Sequence, residues 1–331
     1  MMAVSAKPRL IGLDWGTSSL RAYLLGSGGQ LLDRRSTGHG IQHLPAGGFP
    51  EAFRGIVGDW TDHFPELPIL AAGMVGSRNG WHEVPYVPCP ADIAAIAQGL
   101  LPFVSDCGTI HLVPGLSQYG SRPDVMRGEE TQIVGALAQH PELTEESLVV
   151  LPGTHCKWAT VRAGCVTQFT TYLTGELFAL LRDHSILGRP AKAATAAAPA
   201  AGGQAAFLQG VQAACASGAA GIAGRLFSTR SLFLGGQLRA DQTVDYLSGL
   251  LVGEEIRSVL AATKTACPPL VLLGAPALCD RYRLALSAFG IPDVRPLQET
   301  GPAGLWQIAL SAGIVSNGSR QQKASGDRGQ S

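Results

Sequence analysis

The chain has 331 residues, of which 46% are hydrophobic and 15% charged, and its 25 basic and 25 acidic side chains leave a formal net charge of zero. Such a chain suits one large or two moderate globular domains, and the lack of a charge excess argues against a nucleic-acid or anionic-membrane surface as its partner. Seven cysteines, at 89, 107, 156, 165, 215, 267 and 279, include no CxxC pair, which points to reduced thiols and away from zinc or a disulfide framework. Residues 1–9 lack the apolar core of a signal peptide, no run of about 20 apolar residues suggests a membrane span, and a cytoplasmic location is expected.

Residues 9–34 read as strand, tight turn, strand, turn, strand, with DWGTSS at 14–19 in the first turn. An amphipathic helix is predicted over 129–138, with Ile133, Val134 and Leu137 on one side. Residues 148–170 repeat the three-strand plan, and Gly153-Thr154 takes the place of Gly16-Thr17, which suggests an internally duplicated architecture. The Ala/Gly segment 191–206 reads as a mobile connector. The apolar run 232–234 reads as a strand stopped at Gly235-Gly236, and 270–273 as a buried strand stopped at Gly274. Helices are predicted over 246–262 and 281–289, and 316–331 as a solvated tail. Strands alternating with helices give an α/β class.

The two first turns carry chemistry. An apolar strand delivers Asp14, and Gly16 lets the backbone approach a ligand and adopt angles other residues resist. The amides and hydroxyls of Thr17 and Ser18 offer donors to phosphate oxygens. Asp14 is placed to face Mg²⁺ through water, and Arg21 to add charge at a transferring phosphoryl group. Gly153 and Thr154 supply a second donor-rich turn, followed by Lys157, while Leu151 occupies the slot of Asp14. Glycines after strand ends, Gly235-Gly236 and Gly274-Ala275, leave room for a base or ribose.

DWGTSSLR at 14–21 and PGTHCKW at 152–158 resemble the two phosphate motifs of actin-like kinases, and LVLLGAPALCDRY at 270–282 resembles their adenosine motif. More narrowly, AGMVGSRNGW at 72–81, VPYVPCP at 84–90, DVMRGEETQ at 124–132 and FTTYLTGELF at 169–178 resemble the 2-dehydro-3-deoxygalactonokinase family. The resemblance implies two actin-like, ribonuclease H-like lobes with mixed sheets, flanking helices and an interlobe cleft. Residues 1–140 and 141–315 are the expected lobes, with 316–331 as the tail. It implies ATP-dependent phosphorylation of the 6-hydroxyl of 2-dehydro-3-deoxy-D-galactonate, with ATP and Mg²⁺ bound. The proton acceptor is expected among Asp124, Glu129 and Glu130; the resemblance favours Glu129, which begins a helix at the place similar to that of the base aspartate in related sugar kinases, with Asp124 next. Arg78 or Arg127 suits the substrate carboxylate, and Trp81 and Tyr86 a pocket wall.

Two rival readings stand beside this one. A sugar-sensing regulator of the same fold is disfavoured because only about nine residues precede the first strand and the tail does not read as a helix-turn-helix. An ATPase or exopolyphosphatase relative would lack the long sugar-acid blocks. The gluco epimer of the substrate is not distinguished, and a homo-oligomer is compatible with the sequence.

Overall fold

The computed structural model describes residues 7–194, 202–262 and 268–317. They form two compact units: the described residues of 1–146, 161–169 and 299–331 make the first, and those of 147–160 and 170–298 the second.

In chain order the first stretch carries β1 (Pro8–Trp15), β2 (Leu20–Gly26), β3 (Leu31–Thr37), α1 (Gly48–His63), β4 (Ile69–Gly73), β5 (Val87–Pro88), α2 (Ile93–Gln98), β6 (Leu101–Ser105), β7 (Gly108–Leu112), β8 (Leu116–Gln118), β9 (Asp124–Met126) and α3 (Glu129–Gln139). One sheet has the order β3-β2-β1-β4-β7-β6 and a small one β5-β8-β9. β1 is apolar almost throughout because both its faces are covered. It pairs antiparallel with β2, Asp14 opposite Arg21, and parallel with β4, Trp15 opposite Gly73. Ile11, Leu13 and Trp15 meet Phe53, Ile56 and Val57 of α1 in the core.

There follow β10 (Glu146–Leu151), β11 (Cys156–Arg162), β12 (Cys165–Tyr172), α4 (Thr174–His184), α5 (Arg189–Ala193), α6 (Gly203–Cys215), α7 (Ser228–Leu234), α8 (Thr243–Ala262), β13 (Leu270–Leu273), α9 (Pro276–Ala288), β14 (Arg295–Leu297) and α10 (Thr300–Ser311). The second large sheet is ordered β12-β11-β10-β13-β14, repeating the β3-β2-β1-β4-β7 order of the first. β10, β13 and β14 are parallel neighbours, and Trp158, Phe207, Ile256, Leu272 and Tyr282 belong to the core beside them.

Helix α10 belongs to the first unit. It crosses α3 so closely that a Cβ at Gly304 would lie 1.8 Å from the Thr131 carbonyl oxygen, and one at Gly135 1.8 Å from that of Thr300. Glycine at both positions is what allows the backbones to approach.

Three local expectations are corrected. Residues 232–234 are the last turn of helix α7, not a strand. Its end is a Schellman cap: Gly236 has φ 73°, and the N–H groups of Gly236 and Gln237 donate to the Phe233 and Leu232 carbonyls. A three-residue apolar run does not discriminate helix from strand, and here the local helical bonds win. The predicted connector 191–206 is helical at both described ends, in α5 and α6, because alanine favours helix; residues 195–201 lie outside the described residues, as does the predicted tail beyond 317. Helix α9 starts at Pro276, earlier than predicted, since proline's fixed φ suits a first helical turn. All six described cysteines are free thiols, and no helix among the described residues is long and apolar enough to cross a membrane.

Candidate active site

In the first unit, the β1–β2 turn lies beyond the C-terminal end of β1, beside the parallel strand β4, a placement favoured for ligands in α/β sheets. The Gly16 N–H donates to the Ser19 carbonyl at 2.9 Å, closing the turn, and Thr17 and Ser18 are exposed on it. Residues 38–42 brace it from behind: the Ile41 and Gln42 N–H groups donate to the Gly16 and Thr17 carbonyls at 3.1 Å each, and the Trp15 indole N–H donates to the His39 carbonyl at 2.9 Å. Asp14 accepts from Arg21 at 3.1 Å. Burial holds the Asp14 carboxyl above the usual aspartate range, and Arg21 pulls it part of the way back.

Gly73, which ends β4, packs on Gly128, where a Cβ would sit 3.2 Å from the Gly73 Cα. Through that contact the start of α3 is tied to the Asp14 end of β1. Half-buried Glu129 accepts from the Arg127 backbone N–H at 3.0 Å. Glu130 is fully buried, accepting from the Gly128 N–H at 2.7 Å and the Thr131 hydroxyl at 3.0 Å. Burial, with Glu129 beside it, pushes its carboxyl up to about 8. Arg127 is 8% exposed, donates to the Val84 carbonyl at 2.7 Å and lies 4.3 Å above the Tyr86 ring. Its Nε and Nη1 groups are buried with no hydrogen-bond partner among the described residues.

In the second unit, β10 and β13 are adjacent and parallel, so Pro152 and Gly274 follow neighbouring strand ends. A Cβ at Gly274 would lie 3.4 Å from the Pro152 carbonyl oxygen. The turn 152–155 rests on the start of α4, where a Cβ at Gly175 would be 2.4 Å from the Gly153 carbonyl oxygen. The Glu176 N–H donates to the Thr154 carbonyl at 3.0 Å, and its carboxylate meets His155 Nε2 at 2.5 Å. Lys157 is buried, its ammonium 3.4 Å from the His155 carbonyl.

Each unit therefore gathers part of the expected set. Asp14, Gly16, Thr17, Ser18 and Arg21 share one turn, with Glu129 tied to the same sheet end. Gly153, Thr154 and Lys157 stand with Gly274 and Ala275 in the other unit. Asp124 opens β9, and its carboxylate accepts from the Val125 N–H. Arg78 is exposed. Trp81 is a core residue more than a pocket wall: it stacks on Phe49 at 5.7 Å and meets Trp15, Phe53 and Phe103 edge-on. Gly235 and Gly236 cap α7, so the strand-end argument for a base-binding role there falls away. Neither turn glycine has a positive φ, contrary to the expectation for Gly16. A Cβ at Gly16 would meet only the Ser19 carbonyl oxygen, at 3.5 Å, and one at Gly153 nothing within 4 Å. Sequence reasoning missed the 38–42 brace, whose one local signal is the pair Gly38 and Gly40, and left Glu176 without a place. The described residues contain no cluster of three or more His, Cys, Asp or Glu side chains able to hold a metal by themselves. A single carboxylate matches Mg²⁺, which keeps most of its water and phosphate ligands.

A family profile for 2-keto-3-deoxy-galactonokinase matches residues 14–308. The 2-dehydro-3-deoxygalactonokinase of Escherichia coli (strain K12) is 35% identical over 311 residues, covering 93% of this chain and 97% of that protein. A crystal structure from Sinorhizobium meliloti, of a protein assigned to the same activity, superposes with a TM-score of 0.80 at 35% identity, covering 91% of this chain and 98% of that one. Component A of (R)-2-hydroxyglutaryl-CoA dehydratase from Acidaminococcus fermentans, 13% identical with a TM-score of 0.51 over 92% of this chain and 100% of that one, shares the fold alone, and the fold is actin-like.

Proposed function

From the premise that the chain belongs to the 2-keto-3-deoxy-galactonokinase family, we propose that it transfers the γ-phosphoryl group of ATP to the 6-hydroxyl of 2-dehydro-3-deoxy-D-galactonate, in the cytoplasm, as a step of galactonate catabolism. The hydroxyl oxygen forms a bond to the γ-phosphorus, the bond from that phosphorus to ADP breaks, and the hydroxyl proton passes to a carboxylate. Glu129 is our choice for that acceptor, because the Gly128–Gly73 contact ties it to the Asp14 strand end. Thr17 and Ser18 donate to phosphate oxygens from one hairpin, and Gly153 and Thr154 from the other. Gly274 and Ala275 receive the adenosine. Mg²⁺, when bound, neutralises phosphate charge, and Asp14 is the residue to hold it through water. Arg127 is our choice for the sugar-acid carboxylate, because its buried Nε and Nη1 groups have no hydrogen-bond partner among the described residues and Tyr86 fixes the guanidinium plane.

The observation that carries this reading is the pair of turn glycines, Gly16 and Gly153, which nothing among the described residues requires on steric or conformational grounds. A ligand's backbone-close approach supplies the reason. The test is ADP release from ATP with and without the sugar acid. Stimulation by the acid is expected, and Glu129→Gln should lower kcat by at least about 100-fold with ADP affinity intact. ADP release indifferent to the acid would remove the kinase reading, and full activity in Glu129→Gln would remove Glu129 as the base.

A further inference from the structure

Glu255 lies on α8, 1% exposed, in an apolar core with Val252 and Ile256. Its hydrogen-bond partners are neutral donors: the Trp158 indole N–H on Oε1 at 2.5 Å, the Tyr282 hydroxyl on Oε2 at 2.8 Å and the Thr174 hydroxyl on Oε2. A carboxylate has the lone pairs to accept all three at once; an indole N–H can only donate. A buried carboxylate is costly where an apolar side chain would pack as well, so its placement calls for a role beyond filling space.

The three donors share a location. Trp158 is the third residue of β11, which begins directly after the 152–155 turn. Thr174 opens α4, whose next two residues hold that turn through the Gly175 contact, the Glu176 N–H and the Glu176–His155 pair. Tyr282 lies on α9, which follows Gly274 and Ala275. We propose that Glu255 is the positioning residue of the second unit's nucleotide loops, one acceptor that sets the phosphate turn and the adenosine turn in register from beneath. The inference rests on the reading of those loops as the ATP site.

The experiment measures ADP affinity by calorimetry and the sugar-acid KM separately, in wild type, Glu255→Ala, Glu255→Gln and Thr174→Val. Losing the three-donor acceptor in Glu255→Ala should weaken ADP about tenfold with the sugar-acid KM within about twofold. Glu255→Gln should recover part of that loss, because the Thr174 and Tyr282 hydroxyls can turn to accept from the amide. Thr174→Val, with the core still filled, should weaken ADP about threefold. If Glu255→Ala does not fold, Glu255→Gln and Thr174→Val decide: unchanged ADP affinity in both overturns the inference. Equal losses for ADP and sugar acid also overturn it, since they mark general destabilisation. A wild type that binds no ADP sinks the underlying reading as well, and is told apart by failing before any variant is made.

Discussion

Gly16 and Gly153 separate fold from function at single residues. Neither has a positive φ, and neither faces a neighbour that would exclude a methyl group. Gly16→Ala and Gly153→Ala should therefore unfold within about 0.5 kcal/mol of wild type, yet raise the KM for ATP about tenfold; chemical denaturation and steady-state kinetics on the same samples check both halves. Glu130 makes a different prediction. Its carboxyl is raised from 4.5 to about 8 by burial and by Glu129, so the folded chain holds a proton that the unfolded chain has lost. That contribution to stability is fully present below about 4.5 and is lost as pH rises through about 8. The urea midpoint should fall as pH rises from about 5 to about 8, and Glu130→Gln, an isostere of the protonated acid, should flatten that slope. The sequence displays the acids 124, 129 and 130 together but not which is buried. That depends on α3's rotation against its neighbours, which no local pattern encodes.

Among elements, both three-strand repeats and helices α3 and α8 are legible from apolar spacing and turn chemistry, because their core faces are long enough to set a period. The short run 232–234 is not, since its helix is decided by hydrogen bonds with preceding residues and by the Gly236 cap. The α3–α10 crossing is equally silent in sequence: Gly135 and Gly304 look like ordinary helix-weakening residues until the other helix is in place. A methyl at Gly304 would need to displace backbone, 1.8 Å from the Thr131 oxygen. Gly304→Ala should cost about 2 kcal/mol or more of unfolding free energy, read from urea curves whose slope is unchanged.

At the scale of the whole molecule, the recurring sheet order makes the duplicated plan visible in outline, and the motif blocks carried the family. The return of the last helix to the first unit is hidden from any local reading. It has a consequence for biosynthesis. The first unit consists of three separated stretches, the final one beginning at Glu299. On the ribosome its opening strands emerge early, but the face of α3 around Thr131 and Gly135 waits for α10, which is made only after the second unit. The second unit, by contrast, has all of its stretches out before then. The unit begun first is thus completed after the other, and the nascent chain carries an unsealed apolar surface while the second unit is made.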